Sequence, residues 1–315
     1  MNHLNLSQLN IFSSYTIDRS DHNIGDPRTL NELSESGHAR FLPITGYKVM
    51  VTENLEVVTI DVTEFRSQEY YKKPPVYLGR DNGLHYFAVS VDIGHGKTQE
   101  FRDLRSLAPL LDKNDAALLG YAVMMITWQR NHRFCGVCGA PTISISSGHI
   151  LKCSGDNCGI EHYPRIDPAV IVLVENAERV LLGRKSDWPE KRYSAIAGFI
   201  EPGESAEQAL VREVAEETGV EVAEVSYQSS QPWPFPGSLM LGYFAKASTD
   251  QIQLRDGELQ EARWFTREEL SRNLENGTFL PPTAASISFS LMETWFNQSS
   301  NIPFRMLCEN NTTVR

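Results

Sequence analysis

Long apolar runs are missing from this sequence. The best of them are Ala169–Val174 and Ala122–Ile126, whereas a membrane-spanning helix needs about 20 mostly apolar residues. The first 20 residues contain no Lys or Arg before Arg19 and no apolar core, so no secretory signal is predicted. The last residues match no retention, prenylation or peroxisomal motif. These absences predict a cytoplasmic protein with no membrane partner.

Excess positive charge is also missing. The chain has 29 Lys and Arg against 40 Asp and Glu, which gives a formal net charge of −11 at pH 7. This balance argues against nucleic-acid binding through a broad basic surface. Cysteine is scarce as well, with 5 in 315 residues, and an odd number without a predicted signal argues against a disulfide framework.

Three segments differ in their residue patterns. Residues 1–130 contain short β-like runs (47–51, 56–60, 76–78 and 85–91) and a helical stretch over 114–130, which predicts a small α+β domain. Residues 131–164 hold four of the five cysteines. In the third segment, residues 165–315, Ala169–Val174 is typical of a buried central strand. We therefore expect an α+β protein of three domains.

The four clustered cysteines have metal-ligand spacing. They are Cys135, Cys138, Cys153 and Cys158, and three of them are followed by glycine. Two close pairs joined by a hairpin predict one structural Zn²⁺ per chain, held by four thiolates in a closed tetrahedral site. Four unrelated buried thiols are the alternative, which fits poorly with clustering within 24 residues. The fifth cysteine, Cys308, is expected to be a free thiol.

A glutamate-rich helix follows. Ser205 and Gln208 form a predicted capping box at its start, and Gly219 is placed to end it. Glu213, Glu216 and Glu217 share one helix face, and Glu204 lies in the preceding loop, from which it can fold toward that face. A hard divalent cation, Mg²⁺ or Mn²⁺, would explain the stacked carboxylates. On these residues alone, a solvated acidic face with Arg212 bonded to Glu216 is the alternative.

The whole pattern resembles the motif of Nudix hydrolases at every defined position. It reads Gly198-x5-Glu204-x7-Arg212-Glu213-Val214-x-Glu216-Glu217-x-Gly219-Val220. The resemblance implies an α/β/α sandwich over about residues 167–300 and hydrolysis of a nucleoside diphosphate linked to another group. It also implies ligands for Mg²⁺ or Mn²⁺, which are the Ala197 carbonyl and the carboxylates of Glu213, Glu216, Glu217 and Glu258, with Glu261 as an alternative to Glu258.

An array of prolines and aromatic residues lies downstream, and it runs Gln231-Pro232-Trp233-Pro234-Phe235-Pro236-Gly237-Ser238. Alternate prolines fix φ and favour an extended segment. Such a segment would present Trp233 and Phe235 for stacking on a nicotinamide or adenine ring, bracketed by Gln231 and Ser238 as hydrogen-bonding residues. A proline-rich packing strip is the alternative.

The array resembles the SQPWPFPxS element of the NADH pyrophosphatases, the NudC type of Nudix hydrolase. Zinc ribbon, motif and array occur here in the order found in that branch. The resemblance implies cleavage of NADH or NAD⁺ to NMN(H) and AMP by a homodimer. It implies substrate binding by the eight array residues, Tyr163 and Phe199, although Tyr163 and Phe199 could instead serve packing.

The catalytic role implied for the glutamates is that of a general base, for which Glu216 and Glu258 are the first candidates and Glu204 a further one. Two other functions stay open. Removal of NAD caps from RNA is one, with Arg130, Arg133, Lys152 and Arg165 as local cations. A zinc-ribbon binding protein with an inactive Nudix domain is the other, although an intact glutamate set argues against it.

Overall fold

The computed structural model describes residues 6–13, 17–20, 27–67, 74–91, 101–255 and 257–312. Two compact units make up the chain. We call them the box unit, which comprises Met1–Ile11, Asp167–Gln231 and Leu239–Arg315, and the ribbon unit, which comprises Phe12–Ile166 and Pro232–Ser238. The division predicted at residues 130 and 164 stays a prediction.

The ribbon unit contains a five-stranded sheet. Its strands are β1 (Ala39–Thr45), β2 (Lys48–Met50), β3 (Val76–Asp81), β4 (Leu84–Ser90) and β5 (Phe101–Asp103), in the order β3-β4-β1-β2-β5 with β1 parallel to β4. The helices are α1 (Pro27–Ser34), α2 (Val62–Ser67), α3 (Leu104–Leu107) and α4 (Lys113–Asn131). Helix α4, which Asp112 caps, confirms the helix predicted over 114–130.

One strand predicted for this sheet was wrong, and the strand β1 was not predicted. Residues 56–60 make only isolated bridges, including Phe41 to Ile60, and the strand β1 was missed because Pro43 interrupts its pattern. The Phe41 N–H bonds to Ile60, on the side away from β4. Successive N–H groups of a strand point to opposite sides, so position 43 faces the same side as Phe41, away from β4. The N–H that Pro43 lacks is therefore not needed for the pairing of β1 with β4, which continues past Pro43.

A second, three-stranded antiparallel sheet lies in the ribbon unit. It consists of β6 (Thr142–Ile145), β7 (Ile150–Cys153) and β8 (Glu161–His162). Cys135 and Cys138 precede β6, Cys153 ends β7, and Cys158 lies between β7 and β8. The β6–β7 hairpin is therefore the connection expected between the two cysteine pairs of a zinc ribbon.

The box unit contains a six-stranded sheet, apart from Pro232, Trp233 and Ser238 at the ends of two of its strands, which belong to the ribbon unit. Its strands are β9 (Asp167–Asn176), β10 (Arg179–Arg184), β11 (Ile196–Phe199), β12 (Val222–Trp233), β13 (Ser238–Ala247) and β14 (Glu261–Thr266), in the order β12-β13-β9-β10-β14 with β11 paired to β9. The helices are α5 (Ala206–Thr218), α6 (Arg267–Glu275), α7 (Ile287–Asn297) and α8 (Phe304–Thr312).

Strand β9 builds a core on each face of this sheet, because its side chains alternate. Val170 and Val172 pack with Val214 of α5, while Ile171 and Leu173 join the cluster formed with α6, α7 and α8. Helices therefore cover both faces, which confirms the α/β/α sandwich. No helix in the described part of the chain is both long and apolar enough to span a membrane.

Candidate functional site

Helix α5 begins and ends where the sequence predicts. Ser205 Oγ accepts a hydrogen bond from Gln208 N at 3.2 Å, and Gln208 Oε1 accepts one from Ser205 N at 2.9 Å. Gly219 ends the helix with φ of +72°, a conformation that glycine adopts without a Cβ clash. These local signals fix the helical register and hence the face on which the glutamates lie.

Arg212 is the centre of the carboxylate cluster. Its guanidinium donates two hydrogen bonds to Glu204, at 2.7 and 2.9 Å, and one each to Glu213 at 2.9 Å and Glu216 at 3.0 Å. It also donates to the Phe199 carbonyl at 3.0 Å. The bond to Glu216 is the one expected from the i,i+4 spacing, whereas no sequence pattern predicts the bidentate pair with Glu204. That pair is the main cause that lowers the pKa of Glu204 to about 2.

Gly198 lets strand β11 approach Glu213 closely. A Cβ at position 198 would lie 1.9 Å from Glu213 Cδ and 2.0 and 2.2 Å from its two oxygens, distances at which nonbonded atoms cannot coexist. Burial raises the pKa of Glu213, and the neighbouring Arg212 opposes that rise. The carboxylate therefore lies against bare main chain, where its charge is incompletely solvated.

Glu217 and Glu258 are placed differently from one another. Glu217 is 2% exposed, whereas the Glu258 side chain is 57% exposed and accepts a hydrogen bond from Lys185 Nζ at 3.0 Å. Burial lowers the pKa of Lys185, but the bond to Glu258 and the charges of Glu217 and Glu258 outweigh it and raise the pKa overall. Lys185 is thus a cation close to both carboxylates that sequence reasoning missed.

The glutamates fit a hard divalent cation by the chemistry of their donors. Glu213, Glu216 and Glu217 offer carboxylate oxygens from one helix face, the donors that Mg²⁺ and Mn²⁺ prefer. Their oxygens do not form a group within 4.8 Å among the described residues. Like charges repel, and Arg212 holds Glu213 and Glu216 at its own nitrogens. The predicted roles of these residues and of Ala197 stay predictions.

The four cysteines of the ribbon unit do converge. Their sulfur atoms all lie within 4.8 Å of one another, with 3.8 Å between Cys135 and Cys158 and 3.3 Å between Cys138 and Cys153. Main-chain N–H groups of the first knuckle are the main cause that lowers the pKa of Cys135 to about 6, which favours the thiolate that binds metal. The cluster supports a structural Zn²⁺.

The proline array is extended only as far as Trp233 and then forms a turn, so the prediction of an extended conformation was wrong for residues 234–237. Strand β12 ends at Trp233, residues 234–237 form the turn, which contains a cis peptide bond between Phe235 and Pro236, and β13 begins at Ser238. The Phe235 ring is 7% exposed. Tyr47 packs edge-on against it with 5.5 Å between ring centroids, so Phe235 is packed inside the ribbon unit and not presented to solvent.

Gln231 has its amide fully engaged inside the box unit. Its Nε2 donates to the Ile11 and Ala285 carbonyls at 2.8 Å each, and its Oε1 accepts from Ile287 N at 2.8 Å. The side chain is 1% exposed. A hydrogen bond from this amide to a substrate would have to replace one of these bonds, and the substrate contact predicted for Gln231 stays a prediction.

Tyr163 and Phe199 are exposed aromatic residues. Tyr163 is 63% exposed and donates its hydroxyl hydrogen bond to Glu161 at 3.1 Å, and Phe199 is 57% exposed. Neither ring is buried in the core of this chain, and stacking on a base stays their predicted role. Ser238 is buried and Pro236 exposed.

Three family models match the chain, and together they follow its order. The rudimentary NUDIX domain found in NADH pyrophosphatase-like proteins matches residues 38–128. The NADH pyrophosphatase zinc ribbon domain matches residues 130–163, and the NUDIX domain matches residues 165–283.

Proteins named NAD-capped RNA hydrolase NudC are similar over most of the chain. Those of Mycobacterium tuberculosis and Mycobacterium bovis are 39% identical over 245 residues, which is 72% of this chain and 78% of theirs. That of Pseudomonas putida is 41% identical over 205 residues, 64% of this chain and 70% of its own. A crystal structure of a NUDIX hydrolase from Nitrosomonas europaea matches with a TM-score of 0.44 and 21% identity, over 53% of this chain and 92% of that one.

Proposed function

The chain belongs to the NudC-type Nudix hydrolases, which carry a zinc ribbon and an N-terminal NUDIX-like domain, and we propose that it hydrolyses the pyrophosphate bond of NAD(H) to NMN(H) and AMP. The observation that carries this proposal is the carboxylate set on α5, organised by Arg212 and Gly198. The 39–41% identity to proteins named NAD-capped RNA hydrolase favours the NAD cap of RNA as a second substrate.

In the reaction, water attacks one phosphorus atom, the bridging P–O bond breaks, and the water proton passes to a carboxylate. A divalent cation held by Glu213, Glu216 and Glu217 would neutralise phosphate charge and lower the pKa of water. Arg212 keeps the helix carboxylates in place. Glu216 and Glu258 are the candidate bases, because their side chains are 54% and 57% exposed and can exchange the proton with solvent.

We also propose the finer properties that the resemblance implies. The catalytic ion is Mg²⁺ or Mn²⁺, the protein is a homodimer, and it acts in the cytoplasm. The Zn²⁺ has a structural role, because four thiolates complete its tetrahedral coordination and leave no position for substrate.

Product analysis tests the function directly. Purified protein is incubated with NADH, ADP-ribose or NAD-capped RNA, with Mg²⁺ or Mn²⁺, and the products are separated by chromatography. We expect AMP and NMNH from NADH, and a 5′-monophosphate RNA with NMN from the capped RNA. Glu217→Gln should lower turnover by about 10²-fold or more, while Glu207→Gln, an exposed residue of the same helix, should leave turnover unchanged.

The same experiment separates the alternatives. Turnover of capped RNA with little turnover of NADH would make RNA the main substrate. Failure of every substrate to react, with both metals present and the protein folded, would contradict the proposal and favour an inactive Nudix domain on a binding protein.

A further inference from the structure

Phe12 has a backbone conformation that is rare for a bulky residue. Its φ is +74°, in the left-handed region that non-glycine residues seldom adopt, and its side chain is 3% exposed. Such a conformation persists only where surrounding contacts impose it. The contacts of the Phe12 ring within the ribbon unit impose this conformation.

Those contacts are with the aromatic residues of the array. The Phe12 ring meets Trp233 edge-on, with 6.1 Å between centroids and 80° between planes, and meets Phe235 at 5.9 Å and 74°. Trp233 and Phe235 meet each other at 5.4 Å and 83°. Three mutually perpendicular rings make an arrangement that aromatic quadrupoles favour, in which each ring restricts the tilt of the other two.

Helix α4 leaves space for Phe12. A Cβ at Gly120 would lie 2.7 Å from Phe12 Cδ1 and 3.3 Å from Pro234 Cγ. Glycine inside a helix costs about 0.5–1 kcal/mol relative to alanine. Here the missing methyl group lets the Phe12 ring and the array turn lie directly against the helix.

Two further residues, Arg105 and Tyr47, contact the cluster of Phe12, Trp233 and Phe235, and they lie nearest to Phe235. The Arg105 guanidinium lies 4.8 Å from the centroid of Phe235 and 6.0 Å from that of Trp233, in addition to the contact with Tyr47. Phe235 is buried as a result, whereas Trp233 is only half-buried. Of the two aromatic rings of the array, Trp233 therefore has the exposed surface on which a ligand can stack. Phe12, which lies outside the array in sequence, packs against it.

We propose that Phe12 is a positioning residue for substrate recognition, which fixes the plane of the Trp233 ring so that this ring can stack on a base of the dinucleotide. Phe12 itself does not touch the substrate. The inference rests on the proposed function for the identity of the ligand, and it assigns a binding role to a residue more than 200 positions before the array.

Binding measurements test this role independently of turnover. The Kd for NADH is measured by isothermal titration calorimetry without added metal, and KM and kcat are measured with Mg²⁺. Because stacking on a base contributes about tenfold or more in affinity, we expect Phe12→Ala to raise Kd and KM about tenfold and to change kcat less than threefold. Phe12→Leu keeps the apolar volume without the ring and should raise Kd by a smaller factor. Phe134→Ala, which removes an exposed ring, should leave Kd unchanged.

A double-mutant comparison separates positioning from general destabilisation. If Phe12 acts through Trp233, then adding Phe12→Ala to Trp233→Ala should change Kd less than twofold, since the two losses are not independent. Gly120→Ala should also raise Kd, although alanine favours the helix, because its methyl group displaces the Phe12 ring.

Two results would overturn the inference. One is a Kd for Phe12→Ala equal to that of wild type, and the other is a double variant whose Kd rises by the product of the two single effects. Wild-type protein that binds NADH without hydrolysing it would instead contradict the proposed function, and the binding data would still decide the role of Phe12.

Discussion

The Gly198→Ala substitution tests how the carboxylate site is built. The added Cβ would lie 2.0 and 2.2 Å from the two carboxylate oxygens of Glu213, whereas ordinary contact begins at 3.4 Å, so these oxygens must move by ~1.2–1.4 Å. A displacement of about 1 Å of a group that positions the reactants can lower the rate about 10²-fold. We therefore expect kcat/KM for NADH to fall about 10²-fold, which corresponds to roughly 2.7 kcal/mol of transition-state stabilisation.

The assay is release of AMP from NADH with Mg²⁺, accompanied by a thermal melt. Gly37→Ala is the matched control, because its Cβ would meet nothing within 4 Å and its backbone conformation is ordinary; it should keep wild-type turnover. A folded Gly198→Ala protein with wild-type kcat/KM would refute the reasoning, since Glu213 would then not be needed where the structure places it.

Three further predictions concern stability and the cysteines. Arg212 holds the pKa of Glu204 at about 2, below its ordinary value of 4.5. The ionised Glu204 therefore stabilises the fold fully above about pH 4.5 and less as pH falls toward 2. The melting temperatures of wild type and Glu204→Gln should differ most above pH 5, and a difference that does not depend on pH would contradict this prediction. Elemental analysis should find one Zn²⁺ per chain, and Cys153→Ser should lower both the zinc content and the melting temperature; unchanged zinc content would refute the four-thiolate site. Burial raises the pKa of Cys308 to about 12, so a disulfide reagent at pH 8 should label it slowly; fast labelling that disappears in Cys308→Ser would show the reverse.

Features determined by nearby residues were predictable from the sequence. The capping box of Ser205 and Gln208 and the helix end at Gly219 depend on contacts within four residues, and the structure confirms them. The convergence of the four cysteines also follows from their spacing. In each case the residue types and the distances between them in sequence determine the geometry.

Features determined by distant partners were not predictable. Nothing around the array indicates that Phe235 will be buried, because the rings that bury it belong to Phe12 and Tyr47. Asn10 likewise donates hydrogen bonds to Ser229 Oγ and to the Ser230 carbonyl, at 3.1 and 3.0 Å, across more than 200 residues of chain. No periodicity or motif predicts these contacts.

The close approach of Gly198 to Glu213 was predictable only in part. The glycine is a defined position of the motif, but the reason for it appears only when strand β11 lies beside helix α5. The Lys185 contact with Glu258 similarly joins residues 73 positions apart, and a lysine after a strand carries no signal of its own.

We propose that the carboxylates of helix α5, Glu217 among them, catalyse hydrolysis of the pyrophosphate of NAD(H). The most direct measurement is AMP formation from NADH by wild type and Glu217→Gln, each with and without Mg²⁺ or Mn²⁺. We predict AMP and NMNH from wild type only when metal is present, and about 10²-fold less or lower from the variant. AMP formation that is independent of metal, or equal in the two proteins, would contradict the claim.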